Sequence, residues 1–416
     1  MRAAGIGVTL VTCLALGSGI SPVVAAPGTP VDSPQAEARI GDRLAARLDN
    51  PRLGSDVAVL VLDAQSGREV FSRKGTTPMR PASTMKIPTA VTALAALGPD
   101  TVFTTRTFPG PTPNSVIVRG GGDPLLRSKD LRRLADLTAK ALDPAQPVVV
   151  HADTSLFAPS TRAKGWTTDY IPSVVSPVTS LARLGDYHRR PTTRAIEQFT
   201  GQLRELGFTV STAGQATPAE GAAPIAEIAD HSVRDAVHLM LRDSENNVAE
   251  VLHRQVAIAK GQPATWDGAR DATMAILGEL GIDTTGLSIQ DGSGLSRKDR
   301  LTPAALAGML RLARVQDPQR FSAMFDREAL PIAGVTGTLD DAYGRFTTKQ
   351  ARCAKGVVRA KTGTLFDTIA LSGLTPAADG QEKVFAILVN DRPQRVAKLA
   401  TRQAVDGLAA TINGCW

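Results

Sequence analysis

The sequence predicts an α+β fold, an antiparallel sheet flanked by helices, with a smaller module inserted into it. Three observations carry that expectation. A hairpin pattern, "DVAVLVLDAQSGREVFSRKG", stands early in the chain; three strand-like runs and a closing helix stand at its end; and between them, from residue 101 to about residue 230, the texture changes. A hairpin, then helices, then three strands and a helix make one antiparallel sheet whose first and last strands come from opposite ends of the chain. The expected organisation is a leader at 1–25, a main domain from 26–100 and 231–416, and an inserted accessory module at 101–230.

The leader holds Arg2, an apolar run broken by small residues, and a small-residue exit at Val23-Val24-Ala25-Ala26, the pattern of a cleaved export signal. Pro27 disfavours a cut after Ala26, so cleavage is placed after Ala25. An uncleaved anchor is the alternative, because the run approaches the ~18 apolar residues of a spanning helix; contact with a membrane is otherwise at most peripheral. Residues 27–50 are Pro- and Ala-rich, then helix-like, and close on the turn "RLDNPRLGSD". In the hairpin, "DAQSG" is the turn. The next run, "MKIPTAVTALAALG", combines good helix formers with Gly98 as a stop. Pro88 is irregular there, since proline beyond the first turn removes an intrahelical hydrogen bond, and it predicts a kink or a late start.

In the inserted stretch, "SVIVRGG" and "PVVVHAD" read as short strands, and "LRRLADLTAKAL" and "TRAIEQFTGQLRELG" as amphipathic helices. After His231 long helices return in "VRDAVHLMLRDSENNVAEVLHRQVA", "DGARDATMAILGELG" and "LTPAALAGMLRLAR". The strands "GVVRAKTGTL", "TIALSGLT" and "KVFAILVN" follow, then the helix "RPQRVAKLATRQAVDGLAATI".

Composition narrows the partners. With 43% hydrophobic and 21% charged residues the chain is globular, and its 416 residues exceed one ordinary domain. The net charge of +7 suits work beside anionic envelope polymers, but no Lys/Arg cluster with interleaved aromatics marks a nucleic-acid face, so no nucleic acid is expected. His151, His188, His231, His238 and His253 include no H-E-x-x-H pair, and "RGGGDP" is not followed by G-K-[ST]; neither a metal nor a cofactor is expected. Nothing in the sequence speaks for or against self-association.

The chemistry gathers in three pieces. "PASTMKIPTA" sets Ser83 three residues before Lys86 at a helix mouth; "LRDSENNVAE" sets Ser244 two residues before Asn246 at a break between helices; "RAKTGTL" sets Lys361, Thr362, Gly363 and Thr364 in a strand. Alone, Ser-x-x-Lys occurs by chance, and a capping serine beside a solvated lysine explains it. The three together, in this order, answer to the S-x-x-K, S-D-N and K-T-G set of penicillin-binding proteins and class A β-lactamases, with Glu245 in place of the Asp. A serine hydroxyl needs a base, and one helical turn brings i and i+3 to the same face. Lys86 is that base only when partly neutral, which burial favours, and a second cation, Lys361, is expected to push the same way. The N–H groups of Ser83 and Thr364 are candidates for an oxyanion hole. Gly363 is expected to let substrate lie along the strand edge. Ser244 relays a proton to the leaving amine, Asn246 holds an amide carbonyl, and Lys361 with Thr362 and Thr364 receives a carboxylate, which implies a substrate with a free C-terminus.

At these residues the chain resembles the penicillin-binding D-alanyl-D-alanine carboxypeptidase/endopeptidase family of low molecular mass, the class C type with an insertion between its first two motifs. The likeness extends through "RGGGDPLL", "VVSPVTSL", "DGSGLSR" and "LPIAGVTGTLDDAY" and covers roughly residues 40 to 412. It implies a β-lactamase/transpeptidase-like fold, and a serine DD-peptidase that opens the terminal D-Ala-D-Ala bond of peptidoglycan stem peptides, or D-amino-acid cross-links, through an acyl-enzyme on Ser83. It also implies acylation by β-lactam inhibitors and an extracytoplasmic location. Glu245 replaces the family's usual Asp in the second motif, with little loss expected. The span from Ser83 to Ser244 is shorter than the usual insertion, so a reduced accessory module is expected.

Two alternatives stand beside this reading. "KIPTA" is similar to class D β-lactamases as much as to carboxypeptidases, but a class A lactamase wants an E-x-x-x-N pattern after the second motif and a class D enzyme an apolar residue where Asn246 stands. A non-catalytic penicillin- or wall-binding domain would have lost Lys86 or Ser244, and both are present. Once Cys13 leaves with the leader, Cys353 and Cys415 remain, a pair that permits one disulfide without demanding it. In this fold type the closing helix before Cys415 packs on the sheet that carries the K-T-G strand, a few residues after Cys353.

Overall fold

The computed structural model describes residues 33–326 and 329–416; the expected leader lies outside them. The chain runs through α1 (Ser33–Leu48), the hairpin β1 (Asp56–Asp63) and β2 (Glu69–Arg73), a 3-10 turn over Ala82–Met85, and α2 (Lys86–Leu97). Next come β3 (Val102–Pro109), β4 (Ser115–Arg119), α3 (Ser128–Ala139), β5 (Val148–Asp153), the single turn α4 (Tyr170–Ser173), α5 (Pro191–Glu205), β6 (Val210–Gln215) and β7 (Ala226–Ser232). The helices α6 (Val233–Asp243), α7 (Asn246–Ala259), α8 (Trp266–Glu279), α9 (Pro303–Arg311) and the short α10 (Pro318–Phe321) follow, before β8 (Arg359–Thr364), β9 (Ile369–Pro376), β10 (Glu382–Asn390) and α11 (Lys398–Asn413).

One sheet has the order β2-β1-β10-β9-β8 and is antiparallel throughout, so the early hairpin joins the three late strands through β1 and β10. Both of its faces are covered, which explains why "DVAVLVLD" is apolar without alternation. Ala58 and Leu60 turn to the core built with α2, α6, α7, α8 and α9, and Val57, Val59 and Val61 turn to the core shared with α1 and α11. β2 and β8 are the edges of this sheet, and the outer side of β8 is bridged only at its start, by Ile332 to Arg359 and Pro331 O to Ala360 N, among the described residues.

The second sheet, β6-β5-β4-β3-β7, lies within residues 102–232. β4, β5 and β6 are parallel, and β3 is antiparallel to β4 and to β7. Parallel neighbours need crossovers; α3 and α5 supply them, burying Leu131, Leu134, Phe199 and Leu203 against Val116, Val118, Val148 and Val150. β7 then runs directly into α6, whose start is capped by Ser232 accepting from Asp235 N.

The irregularity at Pro88 resolves as a late start. The 3-10 turn precedes α2, so Pro88 is its third residue, inside the first turn where an N–H has no intrahelical acceptor to lose. α2 is apolar on nearly every side because it runs through the core, with Ile87, Ala90, Val91, Ala93 and Leu94 all buried. Cys353 and Cys415 form a disulfide, with their Cα atoms 6.2 Å apart, which ties the end of α11 to the turn before β8. Among the described residues no helix is long and apolar enough to cross a membrane.

Candidate active site

Ser83 sits in the 3-10 turn, half-buried, and Lys86 opens α2 one turn later with its side chain wholly buried. The turn is held under backbone strain. Ala82 adopts φ 47°, a left-handed conformation that costs a residue with a Cβ about 1–2 kcal/mol. Two glycines allow the turn to be clamped. A Cβ on Gly294 would lie 1.9 Å from the Ala82 carbonyl oxygen, and a Cβ on Gly363 would lie 2.7 Å from that of Pro81. The bare Cα of Gly363 thus lets β8 approach the nucleophile turn.

Lys86 Nζ has three hydrogen-bond partners: Ser83 Oγ at 3.1 Å, Asn246 Oδ1 at 2.8 Å and the Ser293 carbonyl at 2.9 Å. Only the first of these can donate. The orientation of the Asn246 amide is fixed from its other end, because Nδ2 donates to the Val174 carbonyl at 2.8 Å, and a carbonyl only accepts. A neutral Lys86 therefore spends its two N–H bonds on Asn246 Oδ1 and Ser293 O, and its lone pair is left facing Ser83 Oγ. Asn246 was expected to offer its amide to substrate; one Nδ2 hydrogen is already committed to Val174, and its oxygen to the lysine.

Burial pushes Lys86 down to about 8, against the opposing pull of Glu250, Asp291 and Glu245. Burial also drives Lys361 well below its ordinary range, with the charge of Lys86 adding to the effect. Behind the site, Glu250 is buried and accepts from the N–H groups of Gly292 and Ser293, both at 3.0 Å, which fixes the loop that presents the Ser293 carbonyl. Burial and neighbouring Asp291 raise the Glu250 pKa, so its own charge is partly suppressed. Asp291 closes that loop, accepting from Gly294 N and Ser296 N, each at 2.7 Å, and from Trp166 Nε1 at 2.6 Å.

Ser244 caps α6 in the left-handed region, φ 62°, and the break it makes starts α7 at Asn246. Each of the next three residues is held by the segment 174–187. Glu245 accepts from the Tyr187 hydroxyl at 2.7 Å, Asn246 reaches Val174 O, and Asn247 Oδ1 accepts from Ser176 N at 2.8 Å. The glutamate that departs from the family pattern thus has a structural partner outside the motif.

Ser83, Ser244, Thr362 and Thr364 line one cavity of about 410 Å³, together with Thr338, Tyr343, Arg345 and Arg402. Thr362 Oγ1 is 2.7 Å from Thr338 Oγ1, and Lys361 Nζ donates to the Thr362 carbonyl at 3.1 Å. Arg345 is neutralised by Asp406, with Nε 3.0 Å from Oδ2. Arg402 is not matched in this way. Its Nη2 donates to Thr364 Oγ1 at 3.2 Å, while its buried Nε has no hydrogen-bond partner. Burial and then Arg345 lower its pKa against the pull of Asp406, so a cation stands under-compensated at the threonine end of the K-T-G strand.

All eight residues singled out in the sequence lie in this region. Sequence reading missed Arg402, Val174 and Ser293. "DGSGLSR" was a visible signal for Ser293 and "VVSPVTSL" one for Val174, though its backbone role was not; Arg402 is an arginine on an amphipathic helix and has no local signature.

The family model for "D-Ala-D-Ala carboxypeptidase 3 (S13)" matches residues 40–182 and 184–412. Carboxypeptidase DacB of Mycolicibacterium smegmatis is 32% identical over 419 residues, which span 95% of this chain and 89% of that one. The D-alanyl-D-alanine carboxypeptidase of Actinomadura sp. (strain R39) is 26% identical, across 86% of this chain and 82% of its own. Among solved structures, penicillin binding protein 4 (dacB) of Haemophilus influenzae superposes with a TM-score of 0.75 at 22% identity, covering 88% of this chain and 98% of that one. The same Haemophilus protein is also known complexed with a β-lactam.

Proposed function

The chain belongs to the D-Ala-D-Ala carboxypeptidase 3 (S13) family and is a serine peptidase, and from that premise we propose the following course for its reaction. The substrate is a peptidoglycan stem peptide ending in D-Ala-D-Ala. Neutral Lys86 takes the Ser83 Oγ proton as Oγ attacks the carbonyl of the penultimate D-Ala. The oxyanion is held by the N–H groups of Ser83 and Thr364. In support, Ala360 N–H bonds outside the sheet to Pro331 O, and Leu365 N–H bonds inward to Thr368 O; strand alternation then turns the N–H groups of Thr362 and Thr364 to the free edge.

The terminal carboxylate meets Lys361, Thr362 and Thr364, and Arg402 behind Thr364 adds a permanent charge. The proton on Lys86 passes through Ser244 to the departing D-Ala amine as the C–N bond breaks, leaving an ester on Ser83. Water then attacks the ester, giving its proton back toward Lys86, and the carboxyl product leaves with Ser83 restored. A β-lactam presents a strained amide and a carboxylate to the same groups and acylates Ser83.

The observation that carries this reading is the coordination of Lys86: two acceptors that only a donor satisfies, and a lone pair left for Ser83. The same proposal takes residues 1–25 as a cleaved export signal, supported by the Cys353–Cys415 bridge, which suits an oxidising compartment. Incubation with labelled penicillin and with a D-Ala-D-Ala peptide tests it. Mass spectrometry should find the adduct on the peptide containing Ser83 and D-Ala released from the substrate, with both lost in Ser83→Ala. An adduct that persists at another residue of that variant would overturn the assignment.

A further inference from the structure

The second motif departs from the family's usual Asp at one position, and the departure changes what its carboxylate can reach. Glu245 is the N-cap residue of α7, with extended backbone at φ −61° and ψ 122°, and its side chain makes no capping hydrogen bond. Aspartate at an N-cap folds back onto first-turn N–H groups; a side chain one methylene longer is not among the strong caps. Here the longer arm turns away from the helix, and both of its oxygens lie 2.7 Å from the Tyr187 hydroxyl. Burial and then the Glu245 charge push the pKa of that hydroxyl up, so it stays a donor at any working pH.

Tyr187 is itself held from behind. Ser176, 4% exposed, donates from Oγ to the Asp186 carbonyl at 3.1 Å and accepts there from His188 N at 3.1 Å, so it bonds the chain on both sides of the tyrosine. The same serine donates its N–H to Asn247 Oδ1 at 2.8 Å. These bonds close a ring, from Glu245 through Tyr187 and Ser176 back to Asn247, and the residue it encircles is Asn246. That amide is anchored on the same segment, at Val174 O, and its oxygen holds Lys86 Nζ at 2.8 Å. Hydrogen bonds in such a chain strengthen one another; without the tyrosine hydroxyl, one side of the residue that aims the base is free.

We infer that Tyr187, acting through Glu245, is a positioning residue of the reaction: the pair stands where a helix cap would, and keeps the Asn246 oxygen in register with Lys86. The inference rests on Lys86 as the base proposed above, and it adds that the aim of this base is set from outside the three motifs. Neither Tyr187 nor Glu245 lines the active-site cavity, so their effect falls on the chemical step rather than on the grip of the ligand.

Penicillin acylation by the full chain, followed by stopped flow over a range of drug concentrations, separates the binding constant from the limiting rate. Tyr187→Phe keeps the ring and loses only the hydroxyl. Its limiting rate should fall about tenfold, the worth of one hydrogen bond to a charged group, with the binding constant within about twofold of the wild type. Glu245→Asp should lose as much, although it restores the family's usual residue, because the shorter acid returns to cap α7; that cap also keeps the variant folded. In the double variant the two losses should not multiply. Glu245→Gln keeps the reach and an acceptor for the hydroxyl, so its limiting rate should exceed that of Glu245→Asp, a rescue that loop packing alone does not predict. Limiting rates unchanged in both single variants, losses that multiply, a change confined to the binding constant, or no rescue by Gln overturns the inference. If the wild type itself is not acylated on Ser83, the reading of the active site fails instead, so the two failures are distinguishable.

Discussion

Lys86 at the head of α2 and Lys383 on β10 are both wholly buried, yet their proton affinities are pushed in opposite directions. Lys383 Nζ bonds three carboxylates, Glu37 at 2.9 Å, Asp63 at 2.8 Å and Asp379 at 2.6 Å. Burial works against its charge, but those bonds outweigh it and its pKa is raised. Lys86 has carboxylates nearby and bonds none of them; its partners are a hydroxyl, an amide oxygen and a carbonyl, and burial wins. Burial alone therefore does not make a lysine a base. What does is a set of neutral acceptors that satisfy an amine as well as an ammonium.

The largest expected effect comes from denying Lys86 its neutral form. Arg cannot deprotonate here, so Lys86→Arg should slow penicillin acylation by about a thousandfold or more, read by stopped flow. Acylation within tenfold of the wild type would break the contrast at once. Next is a paired substitution read by denaturant unfolding. Lys383→Met takes from three buried carboxylates the cation they share and should cost about 3–5 kcal/mol while sparing activity per folded molecule. Lys86→Met leaves only carbonyl acceptors short of a donor, about 1–2 kcal/mol. Equal losses would mean that the two sites differ less than their partners suggest.

The pH profile sharpens the contrast further. With Lys86 at about 8, the reactive amine accumulates as pH rises through that value, so acylation should climb about tenfold from pH 7 to 9. The Lys383 site responds at the other end of the scale. Burial alone would raise Asp63, but its bonds from Lys383 and Ser66 draw it down to about 2. The stability it contributes is present above the ordinary carboxylate range and is lost as pH falls toward 2, which a thermal melt series would follow. The smallest effect concerns the third cation site. C-terminal amidation should lower kcat/KM for the peptide, and Arg402→Ala should narrow that gap several-fold. An unchanged gap would remove Arg402 from carboxylate recognition.

The early hairpin, the late strands and the three motifs were legible in the sequence because each is encoded by neighbours within a turn or a strand. Pro88 left two readings open, a kink or a late start, and α2 has the late start. What escaped is tertiary. Lys361 and Lys86 were rightly read as two cations in one site, but which of them yields depends on the acceptors that other segments bring. The grip of Val174 and Tyr187 on the second motif joins positions about sixty to seventy residues apart, by a carbonyl and a hydroxyl whose partners the stretch "VVSPVTSL" does not reveal. The parallel order of β4, β5 and β6 is likewise a matter of pairing; β4 and β5 were visible in "SVIVRGG" and "PVVVHAD", and β6 was not.

The pairing of β1 with β10, Val57 opposite Val389, also sets a timetable. When the N-terminal hairpin has been made, its inner strand has no neighbour but β2, and a lone hairpin is marginal in water. The sheet closes only when the strand begun at Glu382 arrives, a contact of very long sequence separation and hence slow to form. Through nearly all of its synthesis the first sheet stays open, while the second, whose strands all lie within residues 102–232, does not wait for it. A chain cut short before Glu382 is therefore not a smaller peptidase: it presents the open edge of β1 to whatever strand it meets first.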